Sequence, residues 1–592
     1  MEQHLTVYHI KELFAEKCKD SFALLLRNPE DVLPFDPDKE IPFEAQLFVS
    51  KPKEESELKQ PSWVAFLEPG FGELPVPATQ SIGAVLFVRI PYGEKEELFA
   101  FTFGGGRHFL NPKGYDKEYG LRVALNVIYD YAGGKIEPNR LRSVASKTVA
   151  ANTIRTRKQT DRQASFDIFE VDTRRDTLNA VTGTSPVKAG FWTKLLSGSE
   201  SLATTPGVDL KKLGDYCKEI ANTYRKKTYE DDFGWIDNRR EITDPAIIGE
   251  LEKTLIHTLI DTPAKITLTV PEIIDWEKVD HFSFSFDKIK FPDPSGVDLL
   301  EALRKIKGLK NKIDDLKKEE NEDLRDEKLK YILDLLSEEY LIAKDIEDNE
   351  EGSWSILGCL SGEIVYKGRP YILSEGQVFE IRDNFLREIN DFVGSLNLKG
   401  KGFLPDCTED KQEGDYNEDT ANEDESLLLL DKKTVRVPGR TTPIEICDLL
   451  TKGGCFVHVK KNHGSSELSH LFAQGSVSAD LLSKSTLYRK VALQRIKDEE
   501  KVKTCPTKVT GSTKYEGDFS QLLADSTDPA KVKDNINPWD FEVSYAIIAD
   551  WKNRSLVDAL PFFSKVNLRK NVEDLERMGY KVSVACIEIC PP

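Results

Sequence analysis

The spacing of apolar and polar residues divides the chain into three stretches of different character. In the first, short apolar or alternating runs between Pro and Gly clusters predict strands at 5–10, 45–49, 63–67, 82–90 and 98–103. Amphipathic helices are expected at 117–129 and 210–226, and Asp172 or Thr173 is expected to open another that ends near Gly183. Residues 166–171 and 279–291 read as strand, the latter with Phe282, Phe284 and Phe286 on one face. In the second stretch, Leu303, Ile306, Leu309 and Ile313 recur at helical spacing among many charges. They predict a helical hairpin that turns around 319–323. The third returns to strands at 355–360, 362–366 and 369–373, with a helix at 384–396. Near its end come an apolar strand at 543–548, a helix carrying Leu568, Val572, Leu575 and Met578, a stop at Gly579, and a strand at 581–587. Strand, helix and strand in this order predict a parallel pair with a right-handed crossover.

The densest chemistry lies at 441–496. A short apolar run ends in Asp448, Gly453 and Gly454 make a turn, and 456–460 alternates. That alternation puts Val457 and Val459 on one face and Phe456, His458 and Lys460 on the other. Ser465 or Ser466 caps a helix that Gly475 is expected to end. Leu468, Leu471 and Phe472 form its apolar stripe; Glu467, His470 and Gln474 form its polar one. A second helix is expected from about Ala479.

Three readings of this stretch compete. In a metal-dependent nuclease, Asp448 with Glu445 holds a magnesium- or manganese-type cation through oxygen, and Lys460 stabilises charge on the phosphate. His458 stands where such sites carry an acid, so it serves as metal ligand or general base. The second reading is a zinc site from Cys447, Cys455, His458 and His463, whose spacing fits no standard finger. In the third, both cysteines are buried small apolar residues, and the histidines satisfy hydrogen bonds or contact a ligand without catalysis.

Charge narrows the field. The chain of 592 residues has a net charge of −19, which excludes a protein that coats nucleic acid with its whole surface. Residues 135–162 run against that balance. They carry Lys135, Arg140, Arg142, Lys147, Arg155, Arg157, Lys158 and Arg162 against only Glu137 and Asp161. Such a run suits either a track of phosphates or a solvated loop that answers the acidic remainder. Residues 406–425 carry ten acids against one base, Lys411. They read first as an exposed mobile loop, with a DNA mimic or the supply of a metal-binding carboxylate to the nearby site as alternatives. The glycine triplet at 104–106 before Arg107 and His108 lacks the P-loop pattern and reads as a turn. Scattered cysteines, no signal-like N-terminus and no membrane-length apolar window lead to the expectation of a cytoplasmic protein without a membrane partner.

Several segments together carry a resemblance. They are FTFGGGRHFL with YGLRVALN, FDIFEVDTRRDTLNAVTG, GEIVYKGRPYILSEGQVFEI, DYNED, PIEICDLLTKGGCFVHVKK with SSELSHLFAQGSVSADLL, and LPFFSKVNLRKNVEDLERMGYKV. In this combination the chain resembles the uncharacterised bacterial family called "sporadically distributed", domain of unknown function 6119. The resemblance brings no established reaction. It implies patchy occurrence in mobile or defence-associated regions, and so a role in conflict with phage or plasmids.

The expectation is a multidomain mixed α/β (α+β) protein. Residues 1–292 form a β-rich N-terminal domain, 293–352 a charged helical hairpin or arm, and 353–592 a nuclease-like α/β domain with the candidate active site. The expected function is defence against phage or mobile elements by metal-dependent phosphodiester cleavage, on DNA more than RNA. Arg140, Arg142, Lys147, Arg155, Arg157, Lys158, His470 and Gln474 are the expected nucleic-acid contacts. The alternatives are a non-catalytic nucleic-acid-binding sensor or blocker, and a subunit that recruits a second copy or a partner protein through the charged arm.

Overall fold

The alternating N-terminal run forms the strand Leu5–His9, which lies near the middle of a ten-stranded sheet. The sheet runs Val32–Phe35, Glu44–Ser50, Gly83–Tyr92, Lys95–Gly104, Leu5–His9, Leu202–Thr204, Leu195–Gly198, Asp176–Thr184, Leu141–Thr148, Arg155–Ala164. Alternation gives it two apolar faces. Val7, Val88, Phe99 and Phe101 pack with the helices Tyr119–Ile128 and Leu213–Tyr224; Tyr8, Val85, Phe87 and Leu98 form a second core. Residues 1–147 and 154–236 make up this first compact unit.

The computed structural model describes the chain except residues 1–2, 20, 39, 53–81, 131–139, 149–154, 165–168, 170, 172–175, 186–189, 193–194, 231–233, 243, 273, 307–308, 317, 320, 437–442, 463, 504–518, 526–527, 529–530, 553 and 592. The strand expected at 63–67 and most of that expected at 166–171 lie outside the described residues. The helix expected from Asp172 or Thr173 is a strand where it is described, Asp176–Thr184, paired antiparallel with Leu195–Gly198. Thr177, Val181, Thr182 and Thr184 are β-branched and suit a pleated sheet, and that pairing overrides the helix-cap pattern before them. The chain turns at the first glycine of the triplet, Gly104 with φ +56°, into the 3-10 helix Gly105–Phe109, and a Cβ on Gly106 would stand 2.0 Å from the Ala84 carbonyl oxygen.

Residues 148–153 and 237–592 form the second unit. The charged arm belongs inside it. It consists of the helices Leu299–Leu303, Leu309–Leu316 and Glu322–Glu338, and the Asn321 side chain caps the last by accepting from Asp323 and Leu324 N–H. Its apolar stripe, including Leu303, Leu309, Ile313, Leu329 and Ile332, is buried in one core with Leu255, Phe282 and Leu341. The apolar side of the arm is thus covered by its own unit, and its charged side faces solvent.

The C-terminal part of this unit is built on a six-stranded sheet in the order Cys407–Thr408, Lys581–Cys590, Glu542–Ala549, Cys455–Lys461, Leu449–Thr451, Leu427–Leu429. The first four strands pair in parallel, and the last two continue antiparallel as a hairpin and its neighbour. The predicted parallel pair is present, with the helix Phe562–Met578 between its strands and Gly579 at φ +92° ending that helix. The helices Ser465–Lys484, Thr486–Lys503 and Phe562–Met578 contribute to the core on one face of the sheet. The helix Glu413–Glu423 contributes Tyr416 and Ala421 to the core on the other.

Two expectations change here. The acidic run is not a mobile loop: its middle is a helix whose Tyr416, Asn417, Thr420 and Ala421 are buried, which leaves its acids for the outer side and the ends. Nor does Gly475 end the helix begun at Ser465, which continues to Lys484. A Cβ at 475 would lie 2.7 and 2.9 Å from Tyr545 ring and hydroxyl atoms, so the glycine lets the helix lie against Tyr545.

Candidate metal centre

Four leucines, Leu427 to Leu430, fill an apolar edge of the sheet, and the chain turns at Asp431 as soon as they end. The Leu430 N–H donates to the Asp448 carbonyl (2.7 Å), and the Asp448 N–H donates to the Val457 carbonyl (3.0 Å). Asp448 therefore joins three strands through its backbone. Its side chain extends the ladder one step further, since Oδ2 accepts the Val459 N–H at 2.6 Å. Glu445 comes from the short strand Ile444–Glu445, paired with Thr434–Val435. One of its oxygens accepts the Lys432 N–H (2.8 Å) and the other the Gln474 side-chain amide (3.1 Å).

These connections bring Asp431, Glu445 and Asp448 together, with one carboxylate oxygen from each lying within 4.8 Å of the others. Asp448 is buried at 7% exposure, and Asp431 and Glu445 are half-buried. Burial pushes the Asp448 carboxyl well above the usual carboxylate range; the Val459 N–H opposes this, and the charges of Glu445, Asp431 and Glu413 add to it. Burial also raises Glu445, against the Lys432 N–H and with help from Asp431. Three carboxylates crowded in this way need protons or a cation to offset their repulsion.

Lys460 stands beside them on the strand Cys455–Lys461, 27% exposed. Its Nζ donates to Glu413 at 3.0 Å, and the other oxygen of Glu413 accepts the Lys461 N–H at 3.2 Å. Burial works against the ammonium charge, but the hydrogen bond and charge of Glu413 outweigh it and leave Lys460 above the ordinary lysine value. An all-oxygen donor set with a charged amine alongside suits a hard divalent cation of the magnesium, calcium or manganese kind. The donors themselves pass the test of fit: Asp448 is an almost fully buried acid whose neighbours are acids.

Of the residues singled out from the sequence, Asp448, Glu445, Lys460 and Gln474 are brought together. His458 is not among the three grouped ligands; Asp431 takes the third place. The His458 ring is 2% exposed, burial pushes it down to about 4, and its Nε2 has no hydrogen-bond partner among the described residues. His470 is exposed, four residues before Gln474 on the same helix. The zinc set does not assemble. Cys447 belongs to the core on one face of the sheet and Cys455 to the core on the other, while His463 lies outside the described residues. Both cysteines are buried free thiols.

The basic run lies in the first unit. Lys135 falls outside the described residues, and the rest flank or form the hairpin Leu141–Thr148 with Arg155–Ala164. Several of its cations are engaged or buried. Arg140 donates to the Ser185 carbonyl (3.3 Å), Arg142 to the Asp161 carbonyl, and Lys147 is 4% exposed. Arg155–Ala164 is the outermost strand of its sheet, and alternation sends Arg157 and Lys158 to opposite faces. Charges placed this way discourage edge-to-edge pairing of sheets.

Sequence reasoning missed Asp431, and offered the acidic run as a source of a carboxylate without singling out Glu413. An acid directly after four leucines is the same acid-at-strand-end signal that singled out Asp448. Glu413 was hidden by its acidic neighbours, because no local pattern separates the one acid that reaches Lys460.

A family model described as "Family of unknown function (DUF6119)" matches residues 5–588, and the chain belongs to that family. No curated protein and no solved structure matches the chain.

Proposed function

We propose that this DUF6119 member is a metal-dependent phosphodiesterase acting on nucleic acid, with its centre at Asp431, Glu445 and Asp448. The observation that carries the reading is the convergence of these three carboxylates beside a charged Lys460 on a mixed sheet. Asp431, Glu445 and Asp448 would hold a magnesium- or manganese-type ion through oxygen, and such an ion would supply Lewis acidity toward a phosphate and its attacking water. The Val459 N–H fixes the rotamer of Asp448; the Lys432 N–H and the Gln474 amide fix both oxygens of Glu445. Lys460, kept protonated by Glu413, places a permanent positive charge where the phosphate gains negative charge. Under this reading the family's setting is conflict with phage or plasmids, where cutting foreign nucleic acid is useful.

The test is a cleavage and binding assay on single- and double-stranded DNA and RNA with magnesium, manganese or chelator, beside Asp448→Asn and Lys460→Ala. The expected result is cleavage that needs the cation and falls at least a hundredfold in both variants, on the order of an electrostatic transition-state contact. Binding without cleavage under every metal would sink the catalytic reading and leave a sensor or blocker. Neither binding nor cleavage would remove nucleic acid as the substrate.

A further inference from the structure

We propose that Lys432 is the residue that grips a backbone phosphate of the substrate at this centre, a role separate from that of Lys460; the inference rests on the phosphodiesterase reading. The region around the three acids is strongly negative, with Glu413 as a fourth carboxylate. A polyanion approaching it needs cations that are not already committed. Lys460 is tied to Glu413 at 3.0 Å, and Lys433 and Arg495 both reach Glu499, at 3.6 and 3.7 Å. Lys432 differs. Its side chain is 80% exposed, and among the described residues its carboxylate contact is Asp431 at 4.0 Å, the outer limit of an ion pair.

Its position is also built rather than incidental. Lys432 has φ +59°, a left-handed conformation that glycine or asparagine adopts more readily. The turn thereby delivers the Lys432 N–H to one oxygen of Glu445 and leaves the amine beside Asp431. Gly414 lies close to the same amine, since a Cβ there would stand 2.8 Å from Nζ. Once Asp431 engages a cation, its hold on the amine weakens, and Lys432 is left as an unneutralised charge at the rim. Nucleic-acid phosphate, repeated along the strand, is the ligand that a metal at the acids and a lysine at the rim would engage together.

The experiment measures binding of a labelled DNA oligonucleotide across a salt series, together with steady-state cleavage and manganese affinity. It compares the wild-type protein with Lys432→Ala, Lys432→Gly, Lys432→Arg and the distal Lys484→Ala, whose residue is paired with Asp480. Loss of one phosphate contact weakens binding about tenfold and lowers the log Kd against log salt slope by about 0.7 to 0.9. The inference expects that loss in the Ala and Gly variants, with KM for the oligonucleotide raised by more than kcat falls. Lys432→Arg should keep wild-type binding, and Lys484→Ala should keep the wild-type slope. The glycine variant favours the turn's backbone, so its loss cannot be assigned to misfolding. If the wild type cleaves while Lys432→Ala and Lys432→Gly keep its affinity and slope, the inference is overturned and the phosphodiesterase reading stands. If the wild type neither binds manganese nor cleaves, that reading fails and takes this inference with it.

Discussion

Asp448 is held in two opposed ways. A backbone N–H bonds its ionised form, while burial and three neighbouring acids favour the protonated form, and the second influence wins. A carboxyl whose pKa rises on folding adds stability below its unfolded value, near 3.9. That stability is lost as the pH climbs through the raised folded value, and Glu445 contributes with the same sign. Without divalent cations, the melting temperature is therefore expected to fall as the pH rises from about 4 toward neutrality. Asp448→Asn should flatten that fall. Manganese binds the ionised form, so its affinity should rise over the same range as protons are released. Thermal melts in chelator and in manganese across pH check this; a wild-type curve indifferent to both would remove the centre. The sequence made Asp448, Glu445 and Lys460 visible because each sits at a strand end or on an alternating face. Asp431 and Glu413 arrive through pairing between segments, which no local spacing encodes.

At the scale of elements, helices and strands with clear periodicity were legible, and their neighbours decided the exceptions. Gly475 is the most instructive. Glycine near a polar turn reads as a helix stop, yet the helix runs through it because the ring of Tyr545 occupies the place of a side chain. Gly475→Ala should raise intrinsic helix propensity by about 1 kcal/mol. It should nonetheless destabilise the protein, by roughly 1–3 kcal/mol, because a methyl group at 2.7 Å forces overpacking. Gly475→Ala paired with Tyr545→Phe should recover part of that loss, because the Tyr545 hydroxyl oxygen is one of the two closest atoms, at 2.9 Å. Urea denaturation measures both; a single variant more stable than wild type would show that the contact is not tight. The segment at 176–184 went the other way: the cap types Asp172 and Thr173 before it suggested a helix, and its β-branched residues with a waiting partner strand made a sheet.

At the scale of the whole molecule, the chain is two compact units, and the proposed centre belongs to the second. A ligand stabilises the state it binds, by about 2.7 kcal/mol when present at a hundred times its dissociation constant. Manganese should therefore slow amide hydrogen exchange in the strands Leu449–Thr451 and Cys455–Lys461 and in the turn at 430–435. The ten-stranded sheet should exchange at an unchanged rate. Equal protection of both units would argue for a site elsewhere. Among the described residues no helix is long and apolar enough to cross a membrane. The charged helical segment, legible as helices, was not legible as interior, because its apolar stripe is matched by residues distant along the chain.

The order of strands in the six-stranded sheet has a temporal consequence. Cys407–Thr408 has Lys581–Cys590 as its parallel neighbour, so one partner is synthesised well before the other. At elongation speeds of about 5–20 residues per second, the interval is on the order of ten seconds or more. The carboxylates at 431, 445 and 448 leave the ribosome within that interval, close together along the chain. A nascent polypeptide thus carries the three acids of the centre before it carries the parallel strands that back them. Maturation of the site waits on slow, non-local strand pairing rather than on the supply of its acids.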